Sequence, residues 1–289
     1  MKKIIKIFSI IGLLSLIPLF SGCSNDSMDN ITVYTTVYPV EFVTKKLYGN
    51  HGKIFNMYPQ GINPYKYKFT KKQISDYGNS NLVIYNGLSD EKDNVVSMIN
   101  QNKNLKIIDA TNNIEYTYSL DEIWINPSNV LMIAQNIKDG LKEYVDSDYT
   151  KSEINNAYEE LKISISNIDA DLKEMVENTD KKKIIVQNNE FTFLNKYGLE
   201  VISLDDSTIT DKTYTDAMNA VSNDDINYIY IIKDQKTNET VNKIMKEFPN
   251  LEIIELDTIN NISTEDKKEG IDYITIMNDN IDKLKQELY

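Results

Sequence analysis

Short apolar runs rich in β-branched and aromatic residues alternate with longer helical stretches in the first half of the chain. The runs lie at residues 31–37, 53–57, 82–85 and 106–108. Alternation of this kind is typical of parallel strands joined by helical crossovers. The pattern therefore predicts an α/β lobe over residues 31–147, with a mainly parallel sheet of about four strands.

The same alternation returns in the last third of the chain. Its apolar runs lie at residues 183–187, 200–204, 228–232 and 251–256. A final helical stretch carries a packing stripe at Ile276, Ile281, Leu284 and Leu288. We therefore predict a second α/β lobe over residues 181–289, so that the fold class is α/β with two lobes.

A single long helix is predicted between the two lobes. Residues 149–178 contain neither glycine nor proline, and apolar side chains recur every three or four positions from Ile154 to Val176. A helix of this length spans roughly 45 Å. We assign residues 148–180 to a rigid connector, and we expect any ligand in the cleft between the lobes, at the carboxyl ends of the strands.

The N-terminus has the pattern of an export signal. Three lysines within the first six residues precede an apolar run that ends at residue 20, and Ser-Gly-Cys follows at 21–23. The apolar run is short for the ~20 residues that a membrane-spanning helix needs. We therefore predict a signal peptide at residues 1–22 that is removed by cleavage.

Residues 19–23, Leu-Phe-Ser-Gly-Cys, resemble a bacterial lipobox. This resemblance implies that Cys23 becomes the lipidated first residue of the mature protein, and that residues 23–30 form the lipidated cysteine and a polar tether. The protein would then be anchored at the extracytoplasmic face of the cell membrane. An ordinary signal peptide with an incidental cysteine is the alternative.

The charge and composition of the chain limit the kinds of molecule that it can bind. Without residues 1–22 the chain has 28 lysines against 44 acidic residues, a formal charge of −16, and it has no arginine. An acidic chain without guanidinium groups is poorly suited to phosphate, so we expect no nucleic-acid binding. Cys23 is the only cysteine, which excludes an intramolecular disulfide and a cysteine-based zinc site.

Motifs of common enzyme classes are missing from the sequence. It contains no pairing of serine or cysteine with histidine that would suggest a nucleophile, no Gly-x-Gly-x-x-Gly and no phosphate-binding P-loop. Its only histidine, His51, lies at a predicted helix-to-strand turn, where we expect it to be solvent-exposed. We therefore predict a protein that is not an enzyme.

Four segments carry a family resemblance. They read Val-Tyr-Pro at 37–39, Met-Tyr-Pro-Gln-Gly-Ile-Asn-Pro-Tyr-Lys-Tyr at 57–67, Asn-Leu-Val-Ile-Tyr-Asn-Gly at 81–87 and Glu-Ile-Trp-Ile-Asn-Pro at 122–127. In order and spacing they resemble the zinc and manganese substrate-binding lipoproteins of ABC importers, the cluster A-I or adhesin-lipoprotein family. The resemblance implies a monomeric receptor that takes a divalent metal ion as cargo and delivers it to the membrane subunits of an ABC permease.

The resemblance also implies four metal-ligand positions. They fall on Tyr65 and Glu122, where the family has histidine, on Asn188, where it has histidine or glutamate, and on the acid that is retained, Asp257. Glu190 is a possible substitute ligand two residues after Asn188. Tyr38 and Trp124 are candidates for lining the cleft, although aromatic residues near strand ends are more often packing residues.

The residue types in this set change the ion that we expect. Zinc favours imidazole and thiolate, whereas a phenol, two carboxylates and an amide form an all-oxygen site. Such a site suits Mn²⁺ or another hard cation. Two alternatives remain open, a scaffold with a degenerate metal site that acts as a surface interaction or adhesin protein, and a receptor for a non-metal solute.

Overall fold

The computed structural model describes residues 28–60, 62–223 and 226–289. The predicted signal peptide and Cys23 therefore lie outside the described residues. Within the described ranges, no helix is both long and apolar enough to cross a membrane. The fold has two sheets of four parallel strands each, which confirms the predicted class.

The N-terminal lobe is built on a sheet with the strand order β2-β1-β3-β4. Its strands are β1 (Ile31–Thr35), β2 (Gly52–Asn56), β3 (Leu82–Tyr85) and β4 (Lys106–Asp109). Its helices are α1 (Tyr38–Tyr48), α2 (Lys71–Gly78), α3 (Glu91–Gln101), α4 (Asp121–Ile125) and α5 (Pro127–Tyr144). The central strand β3 is buried at all four positions, which is why it reads as a continuous apolar run.

The C-terminal lobe repeats this topology with the strand order β6-β5-β7-β8. Its strands are β5 (Lys183–Val186), β6 (Glu200–Ser203), β7 (Tyr228–Ile232) and β8 (Glu252–Leu256). Its helices are a 3-10 helix (Asn189–Tyr197), α7 (Asp211–Ser222), α8 (Glu239–Glu247), α9 (Thr264–Lys268) and α10 (Tyr273–Leu288). All eight strands lie within two residues of their predicted ends.

The long connecting helix, α6 (Asp148–Glu177), is confirmed. It begins at Ser147, whose hydroxyl accepts a hydrogen bond from the Thr150 backbone amide at 3.2 Å and so caps the first turn. The helix packs on α1 and α5 of the first lobe and on α10 of the second. One hydrophobic core therefore runs through both lobes, which restricts hinge motion between them.

His51 lies at the turn between α1 and β2, as expected, but the prediction that it is exposed is wrong. Its side chain is only 14% exposed because carboxylates hold both ring nitrogens. Nδ1 lies 3.1 Å from Asp29 Oδ1, and Nε2 lies 3.0 Å from Glu153 Oε2 on α6. The histidine thus fastens the start of the first lobe to the connecting helix.

Candidate metal site between the lobes

Tyr65 reaches the cleft from the loop between β2 and α2. Its hydroxyl donates to Asp121 Oδ1 at 2.5 Å and accepts from the Trp124 indole nitrogen at 2.9 Å. The residue is 40% exposed, but its hydroxyl end lies against the half-buried Asp121 and the fully buried Trp124. Burial and the charge of Asp121 raise the pKa of Tyr65 above its ordinary value, so the side chain remains a neutral phenol.

Asp121 is the carboxylate that the first lobe presents to this tyrosine. It stands at the first position of α4, and its Oδ1 also accepts from Asn260 Nδ2 of the second lobe at 3.1 Å. Burial, together with the charge of Asp257, raises the pKa of Asp121 despite the hydrogen bonds from Tyr65 and Asn260. Asp121 therefore joins the lobes at a point where negative charge accumulates.

Glu122 faces a different direction from Asp121. Successive helical residues are about 100° apart, which separates neighbouring side chains on a helix as short as α4. Glu122 Oε2 accepts hydrogen bonds from the backbone amides of Thr117 and Tyr118 at 3.1 and 3.3 Å. Its carboxylate therefore holds the preceding loop, and its assignment as a metal ligand stays a prediction that these contacts do not favour.

Besides the Ser203 hydroxyl on β6, two buried acceptor oxygens of the second lobe have no hydrogen-bond partner among the described residues. They are Asn188 Oδ1, directly after β5, and Glu190 Oε2, in the first turn of the 3-10 helix. Burial and the charges of Asp121 and Asp205 raise the pKa of Glu190, although Ser119 donates a hydrogen bond to it. Leaving such acceptors unsatisfied costs about 1–3 kcal/mol each, which a bound cation would recover.

Asp257 is fixed in place directly after β8. Its Oδ1 accepts from the Ile259 backbone amide at 2.7 Å, and its Oδ2 faces Lys233 Nζ at 3.2 Å. The buried side chain of Asn280, on α10, exchanges hydrogen bonds of 2.9 and 2.8 Å with the backbone amide and carbonyl of Asp257. The retained acid is therefore held rigidly at the carboxyl edge of the second sheet.

Comparison with known proteins decides the family. Residues 33–287 match the model of the family described as ZnuA, zinc-uptake complex component A, periplasmic. The chain belongs to this family.

Relatives of the chain include a zinc-binding protein and a zinc uptake system protein. It is 22% identical over 322 residues to zinc-binding protein AdcA of Streptococcus pyogenes serotype M1, an alignment that covers 98% of this chain and 61% of AdcA. It is also 22% identical to the high-affinity zinc uptake system protein ZnuA of Bacillus subtilis, with 92% and 90% covered. The chain thus spans about three fifths of the length of AdcA.

A solved structure of similar fold is the metal-dependent lipoprotein YcdH of Bacillus subtilis. The TM-score is 0.74 at 20% identity, and the superposition covers 90% of this chain and 99% of YcdH. Identity this low establishes the shared fold and carries no ligand assignment.

The two aromatic residues expected in the cleft pack between the lobes of this ZnuA-family chain. Trp124 is fully buried, and its carbonyl accepts from the Tyr273 hydroxyl at 2.9 Å. The backbone amide of Tyr38 donates to the Asn260 carbonyl at 3.3 Å, and its ring lies 5.3 Å from Lys267 Nζ. Trp124 still touches the site through its bond to Tyr65, whereas these contacts of Tyr38 are with the lobe interface.

A groove of about 1030 Å³ lies between the two lobes. Asn63 and Asp121 contribute to its wall from the first lobe, and Lys233, Asp257 and Asn260 contribute from the second. Among the described residues, no three His, Cys, Asp or Glu side chains converge as a ready-made metal site. Capture of a metal ion would therefore require local side-chain movement at the edge of this groove.

Sequence reasoning missed Asp121, Asn260 and Lys233 as residues of the site. Asp121 precedes Glu122, the position to which the family resemblance assigns a ligand. The geometry of the short helix α4 determines which of these two side chains faces the cleft. A helical pattern over residues 121–125 would have separated Asp121 from Glu122. The sequence around Asn260 and Lys233 carries no comparable signal, because both reach the site through contacts between distant segments.

Proposed function

We propose that this chain is an extracytoplasmic receptor that captures a divalent metal ion between its lobes and delivers it to the membrane subunits of an ABC importer. The observation that carries the proposal is the pair of buried acceptor oxygens, Asn188 Oδ1 and Glu190 Oε2, in a cleft where Asp121 and Glu190 interact electrostatically. Membership of the ZnuA family and its zinc-binding relatives support the same role.

The proposed ligands are Asp121, Asn188, Glu190 and Asp257. In this assignment Asp121 replaces Glu122, whose carboxylate is engaged with the backbone. Tyr65 supports Asp121 by a hydrogen bond, since its hydroxyl already has two partners. The donors are all oxygen atoms, so we propose Mn²⁺ or another hard cation as the preferred cargo, in contrast to the zinc of the named relatives.

Metal analysis and thermal melting test this function together. Protein equilibrated separately with Mn²⁺, Zn²⁺, Fe²⁺ and Ca²⁺, then freed of excess ion, is expected to retain one Mn²⁺ per chain and to melt at a higher temperature with it. An ion present at 100 times its Kd stabilises the folded state by about 2.7 kcal/mol. Failure of every ion to bind or to raise the Tm would leave the scaffold or non-metal alternatives.

The proposed membrane anchor depends on Cys23, which lies outside the described residues. Replacing Cys23 by serine removes the thiol that lipidation requires. We expect the Cys23→Ser protein to leave the membrane fraction, whereas the unchanged chain stays there. Equal amounts of both proteins in the membrane fraction would contradict the lipid anchor.

Metal stabilisation is expected to increase with pH. The raised pKa values of Asp121 and Glu190 mean that the folded, empty protein holds protons at a higher pH than the unfolded chain. Their ionisation therefore destabilises the empty protein as the pH rises, whereas a cation needs both carboxylates ionised. The rise in Tm caused by Mn²⁺ should thus grow as the pH rises above the ordinary carboxyl pKa of about 4.

The matched control for this pH dependence is Glu190→Gln. This variant has one titrating carboxyl fewer and should show a weaker dependence along with weaker binding. A rise in Tm that is constant across the pH range in the unchanged protein would show that neither carboxylate takes part in binding.

A further inference from the structure

A lysine stands directly against the acid that is retained at the proposed site. Lys233 follows β7 and Asp257 follows β8, and the parallel register pairs Ile232 with Leu256 at the ends of these strands. The Lys233 backbone amide extends the ladder by donating to the Leu256 carbonyl at 2.8 Å. The topology therefore places the two side chains next to each other, with Nζ 3.2 Å from Asp257 Oδ2.

The partners of Asp257 differ in how easily they can move. Its other carboxylate oxygen is held by the Ile259 backbone amide, in a turn where Ile259 has a φ of 62°, a left-handed conformation that is uncommon for a β-branched residue. Asn280 fixes the backbone from α10. Lys233 is 49% exposed on a long flexible side chain, so it is the partner that can leave without disturbing the fold.

The Lys233 ammonium group is paired with Asp257 Oδ2, the oxygen that a bound metal ion would contact. A metal ion approaching Asp257 Oδ2 must displace Nζ, and it is repelled by the lysine charge until that happens. Asp234 and Asp266 act electrostatically on Lys233 and line the same groove, so the displaced side chain has acidic neighbours. Removal of the lysine charge would leave the carboxylate free for the cargo.

We propose that Lys233 is a tethered counter-ion that sets the affinity of the site, holding Asp257 in the empty receptor and competing with the incoming metal ion. This inference rests on the proposed function, since it assumes that Asp257 takes part in metal capture. The proposed site thus contains one residue that opposes metal binding, beside the residues that favour it. A receptor with such a competitor binds its cargo less tightly than its carboxylates alone would allow, which favours release of the ion.

The test compares three variants of the full-length chain, purified in a mild detergent and titrated with Mn²⁺ by calorimetry. Lys233→Met keeps most of the side-chain volume and removes the charge, and Lys233→Arg keeps the charge. Lys283→Met is the matched control, because Lys283 lines the same groove but pairs with Asp279 at 2.8 Å. Melting curves without metal establish that every variant is folded.

We expect Lys233→Met to bind Mn²⁺ about tenfold more tightly than the unchanged chain, as the loss of one charge at contact distance implies. Lys233→Arg should stay near the unchanged affinity. Lys283→Met should change it by less than about threefold, since the Lys283 charge is paired with Asp279 and not with a proposed ligand. If Lys233→Met binds no more tightly than Lys283→Met, the tethered counter-ion is wrong while the receptor function stands. If none of the four proteins binds Mn²⁺, the proposed function fails and this inference fails with it.

Discussion

Replacing Asp121 by asparagine is expected to weaken Mn²⁺ binding by about 100-fold or more, since loss of one buried charged partner costs 2–5 kcal/mol. The substitution preserves shape but removes a charge that acts on both Glu190 and Asp257. Tyr65 and Asn260 can still hydrogen-bond to the asparagine oxygen, so the variant should remain folded. Titration of Mn²⁺ by calorimetry measures the change in affinity.

The control for this prediction is Glu122→Gln, the neighbouring residue on the same short helix. The amide oxygen can still accept from the Thr117 and Tyr118 backbone amides, so the loop is retained and Mn²⁺ affinity should change by less than about threefold. The two variants thereby distinguish two hypotheses. In one, the ligand is Asp121, whose side chain faces the cleft, and in the other it is Glu122, which occupies the position of the family motif. Loss of binding in Glu122→Gln, with Asp121→Asn unaffected, would favour the motif position.

The fold of this chain could be predicted because its strands and long helix have strong periodic signals. Strand β3 is apolar at every position since both faces are covered, and α6 buries one stripe against three other helices. These patterns are local and repeat over many residues, so a single sequence is sufficient to detect them. The 3-10 helix after β5 has no such repeat, and it was not predicted.

The site was harder to predict because its chemistry depends on side-chain direction and on distant contacts. The Tyr65 hydroxyl meets partners 56 and 59 positions away in the chain, and Asn260 is 139 positions from Asp121. His51 shows the same limit, since Glu153 is 102 positions away. A residue at a turn is expected to be exposed, but a distant segment of the fold can cover it, as α6 does for His51.

These contacts also offset much of the negative charge in the cleft. The Tyr65 hydroxyl and Asn260 amide satisfy Asp121, the backbone satisfies Glu122, and Lys233 balances Asp257. Glu190 and Asn188 keep buried oxygens without a donor in the described part of the chain. The cleft is thus largely neutralised by its own side chains, and those two residues mark where a cation would bring the greatest gain.

A second large effect is expected at Glu287, far from the cleft but on the helix that fixes Asp257. The Glu287 side chain is fully buried, and its Oε2 accepts from the backbone amides of Asn227 and Tyr228 at 2.7 Å each. Glu287→Ala would leave both amides unpaired where α10 meets the start of β7. We expect this variant to lose about 2–4 kcal/mol of unfolding free energy, measured by urea titration.

The matched variant Glu287→Gln keeps an oxygen acceptor in the same place and should lose clearly less stability, because its amide oxygen can still accept from both backbone amides. Asn280 lies two helical turns earlier on α10 and clamps the Asp257 backbone. A loosened C-terminal end of α10 should therefore also weaken Mn²⁺ binding in Glu287→Ala, by less than the Asp121 substitution does. If Glu287→Ala and the unchanged protein have equal unfolding free energies, this buried carboxylate does not fasten α10 to the sheet. The link from α10 to the metal site would then rest on Asn280 alone.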